Sequence, residues 1–152
     1  MNKMASTISN SSLTVTITEK LTLNGTDHGS TKKITIADIN EVSKRILTVP
    51  TTGIQVYAGS TAAGLGTYVT NDVRYIRITN LDNENFVVLH LEGSAHYAQL
   101  TVAPGHVFFL TDVSSVFDSE ALVTDFTAVD IDRIDVMADT AACDIEILVA
   151  SV

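Results

Sequence analysis

Val73-Arg74-Tyr75-Ile76-Arg77-Ile78-Thr79-Asn80 decides the fold class when it is read with the segments that follow it. Val73, Tyr75 and the run Ile76-Arg77-Ile78 predict a strand: short, β-branched and aromatic, and bounded by turn residues. Asn80 to Asn85 is a turn built of Asn and Asp, whose side chains bond to nearby backbone. Phe86 to Leu91 is the return strand and Tyr97 to Val102 the next. Pro104-Gly105 is a tight turn, with His106 to Leu110 as its partner strand. Together these segments predict a meander of four strands from Val73 to Leu110.

The same period of two runs outward in both directions. Leu13, Val15 and Ile17 alternate with Thr14, Thr16 and Thr18, and Leu21 and Leu23 follow. Asn24-Gly25 opens a turn region reaching Gly29, because both residues tolerate positive φ. Ile34 and Ile36 then alternate around Thr35, completing a first hairpin. Asp38 to Leu47 reads two ways. Asp38 and Glu41 have the spacing of a capping box, yet the apolar residues run on to Val49 and Pro50. A strand from about Glu41 to Val49 is preferred, with a helical turn allowed before it. Ile54 to Tyr57 is a short strand, and Gly59, Gly64 and Gly66 mark a loop over residues 58–66. Asp112 to Asp130 is irregular, with a helical turn allowed near Ser114 to Glu120. Ile134, Val136 and Ala138, a loop at Asp139 to Ala142, and Ile145, Ile147 and Val149 make a closing hairpin. Nine or ten short strands with little helix predict an all-β, antiparallel β-sandwich or jelly-roll-like domain. Its expected span is residues 12–152, preceded by a flexible arm at 1–11.

The 152 residues are enough for one core, and 45% of them are hydrophobic. No apolar run approaches the roughly 20 residues of a membrane helix. Met1 to Ser12 lacks the apolar core of a signal peptide, so synthesis in a cytoplasm is expected. The net charge of −9 argues against direct contact with nucleic acid. That charge is uneven: residues 1–80 carry a net of +3 and residues 81–152 a net of −12. Such polarity lets one copy attract another, although strands interleave in space and halves of a sequence need not be faces. The single cysteine, Cys143, lies in an apolar run with acidic neighbours, which predicts a buried, inert thiol.

Catalytic signatures fail on their spacing. Gly59 to Gly64 has the spacing of a phosphate loop, but Leu65 stands where Lys is needed, Gly66 where Ser or Thr is needed, and no helix follows. His28, His90, His96 and His106 form no zinc motif. Asn80, Asp82 and Glu84, and likewise Asp130, Asp132 and Asp135, are acidic clusters. The first departs from a calcium loop at Asn85 and Leu91; solvated charge is the plainer reading of both, with calcium between subunits left open. No Ser stands on a nucleophile elbow. The chain has no Trp, and Tyr57, Tyr68, Tyr75 and Tyr97 are expected in the core or at its rim. A sugar-binding reading would use Tyr68 and the 58–66 loop. No catalytic, cofactor or metal residue is therefore assigned.

Val87-Val88-Leu89, Val107-Phe108-Phe109-Leu110 and Ile147-Leu148-Val149 are apolar on both faces of a strand. That fits sandwiched strands, or strands covered by another subunit, and predicts a homo-oligomer or assembly component.

Five segments carry a resemblance: Glu41-Val42-Ser43-Lys44-Arg45-Ile46, Tyr75-Ile76-Arg77-Ile78-Thr79-Asn80-Leu81-Asp82, Leu100-Thr101-Val102-Ala103-Pro104-Gly105-His106, Ala138-Asp139-Thr140-Ala141-Ala142 and Val149-Ala150-Ser151-Val152. They resemble small virion structural proteins of tailed, especially marine, phages. The resemblance implies a non-catalytic particle component made in a bacterial cytoplasm and residing in the virion, with phage capsid or tail proteins as partners. A capsid decoration protein is the first expectation. A tail- or fibre-associated module binding host glycans is the second. The shared segments are strand-and-turn patterns, so no functional residue is carried over.

Overall fold

The computed structural model describes residues 8–152. Strand makes up 59% and helical turns 4%, so the chain is all-β and sandwich-like. Ten strands have four residues or more. The expected arm at residues 1–11 lies outside the described residues as far as residue 7; residues 8–10 are irregular, and Ser11 begins a strand. The chain divides into two compact units, the first ending at Asn40 and the second spanning Glu41–Ser151. The physical reason is pairing. The first long hairpin pairs only with itself among the described residues.

That first unit contains β1 (Ser11–Glu19), β2 (Thr22–Leu23), β3 (Thr26–Asp27) and β4 (Ser30–Ile39). β1 and β4 run antiparallel, and β2 and β3 close a small hairpin at the tip. Asn24 and Gly25 have φ of 50° and 79°, the left-handed geometry that the Asn-Gly pair supplies at low cost. The register sets Leu13 opposite Ile36, Val15 opposite Ile34 and Ile17 opposite Lys32. Five apolar side chains thus share one face, while Thr14, Thr16, Thr18, Thr31 and Thr35 share the other. No helical turn forms at Asp38: it stays in β4 at φ 62°, and Asn40 alone links to the next strand.

The second unit contains β5 (Glu41–Val49), β6 (Ile54–Ser60), β7 (Tyr68–Val69), β8 (Val73–Asn80), β9 (Val87–Gly93), β10 (His96–Val102), β11 (Val107–Leu110), β12 (Arg133–Ala138) and β13 (Cys143–Ser151). One sheet has the order β10-β9-β12-β6-β7 and the other β11-β8-β13-β5. All pairings are antiparallel except β6 with β7. The inner faces of the two sheets make one cluster. Val87, Leu89, Leu91, Ile134 and Val136 come from the first sheet; Ile76, Ile78, Ile145, Ile147 and Val149 come from the second. Full burial of such a side chain contributes about 1.5–3 kcal/mol. This unit therefore has its own core, whereas Ile39 is the one buried residue described in the first.

The expected meander is corrected. β8 does not pair with β9. The chain crosses to the other sheet after Asn80, pairs β9 with β10, and crosses back so that β11 lies beside β8. The closing hairpin is corrected likewise, because β12 and β13 belong to opposite sheets. Period two marks which face of a strand is buried; it is blind to which sheet supplies the neighbour. The segment 111–132 is irregular as expected, but its helical turn is at Val123–Asp125, not near Ser114 to Glu120.

Candidate functional site: the hairpin arm and the outer face of the five-stranded sheet

On the arm, Leu13, Val15, Ile17, Ile34 and Ile36 are half-buried and none is buried. A two-stranded ribbon is marginally stable in water without further cover. The hollow at its tip, about 580 Å³, is lined by residues including Glu19, Lys20 and Asp27. Ser30 Oγ donates to Glu19 Oε2 at 2.6 Å and Gly29 N to Asp27 Oδ1 at 2.8 Å, so both carboxylates serve the turn.

On the second unit, the five-stranded sheet turns three rows of side chains outward. The register aligns Gln99 with His90, His90 with Asp135, and Asp135 with Gln55, one polar row across β10, β9, β12 and β6. On one side of it run Thr101, Val88 and Met137; on the other, Tyr97, Glu92 and Arg133. A register shift between Ile134 and Asp135 marks a bulge against β6, a feature that re-aims side chains. The groove above these rows measures about 270 Å³ and is lined by Gln55, Val88, His90, Gln99, Arg133, Asp135 and Met137, among others.

Within the groove, Arg133 grips Asp135 with Nε at 3.0 Å from Oδ1 and Nη2 at 2.8 Å from Oδ2. This two-pronged bond raises the guanidinium pKa. His90 Nδ1 meets the Gln99 amide nitrogen at 3.3 Å. The His90 and Tyr97 rings stack with centroids 6.0 Å apart, and Tyr97 remains 65% exposed. Sequence reasoning missed this row because its members are brought together by pairing between strands far apart in the chain.

The residues singled out from the sequence go elsewhere. Tyr68 stacks on the buried Tyr57 at 5.6 Å and packs against the core, so it offers no free platform. Burial, then the Asp132 carboxylate, pushes the Tyr57 phenol well above its usual pKa. Leu65 in the glycine loop is fully exposed. Asp82 Oδ1 accepts the Asn85 and Glu84 amides at 2.6 and 2.7 Å, which holds its pKa below the ordinary carboxylate value. Asp130 and Asp132 line one hollow of about 390 Å³ with Gly59, Ser60 and Thr70; Asp130 Oδ1 accepts Ser115 N at 2.8 Å, and Asp135 is held elsewhere by Arg133.

His96, Asp118 and Glu120 do come together, with their ligand atoms within 4.8 Å. Asp118 is already engaged: it accepts backbone N–H bonds from Thr127, Ser119 and Glu120, and His96 Nδ1 lies 2.8 Å away. The first of these bonds leads in lowering its pKa. The cluster ties the 112–130 segment to β10. Cys143 is fully buried, and burial is the main cause of its raised thiol pKa.

No family model, curated protein or solved structure matches the chain.

Proposed function

We propose that this chain is a non-catalytic structural subunit of a phage particle, with capsid decoration as its role. The observation that carries this is the arm: a nine-residue and a ten-residue strand carrying an apolar stripe that is nowhere buried. The resemblance of the five strand-and-turn segments to tailed-phage virion proteins supplies the kind of particle. Outward apolar residues on the second unit add contact area, with Val42, Ile46 and Val107 at 59%, 64% and 50% exposure.

Magnitudes fit attachment to a lattice. Five half-buried aliphatic side chains have roughly 4–7 kcal/mol of burial still to gain. Association costs roughly 4–15 kcal/mol in lost freedom. One arm is therefore near break-even, and stable attachment uses several contacts on a repeating surface. The chain is expected to co-sediment with preformed phage heads and raise their melting temperature. Heads that neither bind nor gain stability would contradict the role.

A further inference from the structure

We propose that the hollow between the end of β6 and the lead-in to β12 binds a calcium ion within one copy of the chain. This goes beyond the structural role and does not depend on it.

Every side chain lining this hollow offers oxygen: the Asp130 and Asp132 carboxylates, the Ser60, Thr61 and Thr70 hydroxyls and the Asn71 amide. Neither carboxylate has a cationic partner among the described residues, since Arg133, next in the chain, is committed to Asp135. Oxygen donors alone suit a hard cation, whereas softer metals favour imidazole or thiolate. Two buried hydroxyls point the same way. Tyr57 is 1% exposed, and its hydroxyl has no hydrogen-bond partner. Thr70 is 7% exposed, and its hydroxyl donates only a long bond of 3.5 Å to the Ser60 carbonyl. Leaving buried hydroxyls so poorly paired is costly. Gly59 lines the hollow and brings both to one spot: a Cβ there would lie 2.5 Å from Thr70 Oγ1 and 3.1 Å from the Tyr57 hydroxyl. Burial leads in raising the Tyr57 pKa, and the Asp132 and Asp130 carboxylates add to it, so both acids stand near that hydroxyl.

Asp130 spends Oδ1 on Ser115 N at 2.8 Å, and Asp132 spends Oδ2 on a long contact of 3.4 Å with Ser94 N. The second oxygen of each carboxylate is left for a metal. With the Thr70 hydroxyl and the Asn71 amide oxygen these are the proposed ligands; water completes the shell, and the Tyr57 hydroxyl donates to a ligand water. Calcium takes about six to eight oxygens in flexible geometry, whereas magnesium demands a near-ideal octahedron. Ligands from the turn at Thr70–Asp72 and the lead-in to β12, in an open hollow, suit calcium. The ion would pin the irregular 111–132 segment to that turn. His96, Asp118 and Glu120 make a poorer site, because Asp118 already accepts three backbone N–H bonds.

The test uses the full chain, freed of metal with EDTA, in calorimetric titrations and thermal melts with CaCl2, with MgCl2, and with NaCl at matched ionic strength. The expected result is a calcium Kd of about 0.1–1 mM, the range of weak two-carboxylate sites. At about 10 mM CaCl2 the melting temperature should rise by about 4–8 °C, less with MgCl2 and not at all with NaCl. Asp132→Asn should weaken calcium binding at least tenfold. Asp139→Asn, which removes an exposed acid that does not line the hollow, should leave it unchanged. Should Asp132→Asn fail to fold, Asp130→Asn carries the same expectation, since its amide oxygen still accepts Ser115 N. No calcium-dependent heat or melting shift up to tens of millimolar, an equal shift from NaCl, or a shift that survives Asp132→Asn and is lost in Glu120→Gln would each overturn the proposal.

Discussion

Asn80 is wholly buried, and its amide donates to the carbonyls of Asn85 at 2.9 Å and Val102 at 3.1 Å. Its side-chain oxygen accepts Asp82 N at 3.0 Å, and its backbone N–H reaches His106 O at 3.0 Å. One side chain thus ties the first crossover between sheets to the second. Asn80→Ala would leave the buried Val102 carbonyl and the half-buried Asn85 carbonyl and Asp82 N–H without this partner, a buried group costing about 1–3 kcal/mol when left unpaired. With partial rescue by water, a loss of roughly 2–4 kcal/mol is expected in urea unfolding. In the sequence, Asn80 reads only as the start of an Asn/Asp turn, since its partners are carbonyls set by tertiary structure. Cys143 was legible because its apolar run and acidic neighbours are local. Tyr68 was expected in the core or at its rim, and it packs there on Tyr57.

At the scale of elements, strand positions and the pairing of the first hairpin were legible, whereas the assignment of the later strands to two sheets was not. β5 spans the predicted Glu41 to Val49, yet the crossover after β8 leaves no trace in the alternation. Gly93 closes β9 where a Cβ would sit 1.7 Å from the Asp130 carbonyl oxygen, and backbone cannot yield that space cheaply. Gly93→Ala is therefore expected to cost more than about 4 kcal/mol, the range of severe core lesions, and thermal melting would show it. The four-stranded sheet carries an ion cluster on its outer face. Lys44 Nζ lies 3.2 Å from Glu146 Oε2, and Arg77 bonds the other oxygen. Lys44 leads in holding the Glu146 pKa below its ordinary value. Asp118 is lowered as well. A carboxylate whose folded pKa is depressed adds stability above its unfolded value, and loses it as pH falls through the folded one. Stability should thus be level from neutral pH down to about 5 and decline below about 4, near the unfolded carboxylate values. Glu146→Gln should lower the plateau and flatten the acid limb in urea midpoints measured against pH.

For the whole molecule, the two units differ in what they can do alone. The sandwich holds a continuous apolar core; the arm holds a stripe with water on it. The sequence showed the first hairpin plainly, but not that it would stand as its own unit, because independence is a matter of missing partners. The groove was invisible for the same kind of reason: Gln55 and Asp135 become neighbours only through β6 and β12. The central claim is that the arm's stripe makes this chain a building block. Sedimentation velocity over a wide concentration range tests it most directly, comparing the native chain with V15K/I34E, which swaps an apolar cross-strand pair for an opposite-charge pair and so keeps the hairpin. The expected result is concentration-dependent association of the native chain, abolished in the variant with its circular dichroism unchanged. A native chain that stays strictly monomeric at every concentration, or a variant that associates equally well, would contradict it.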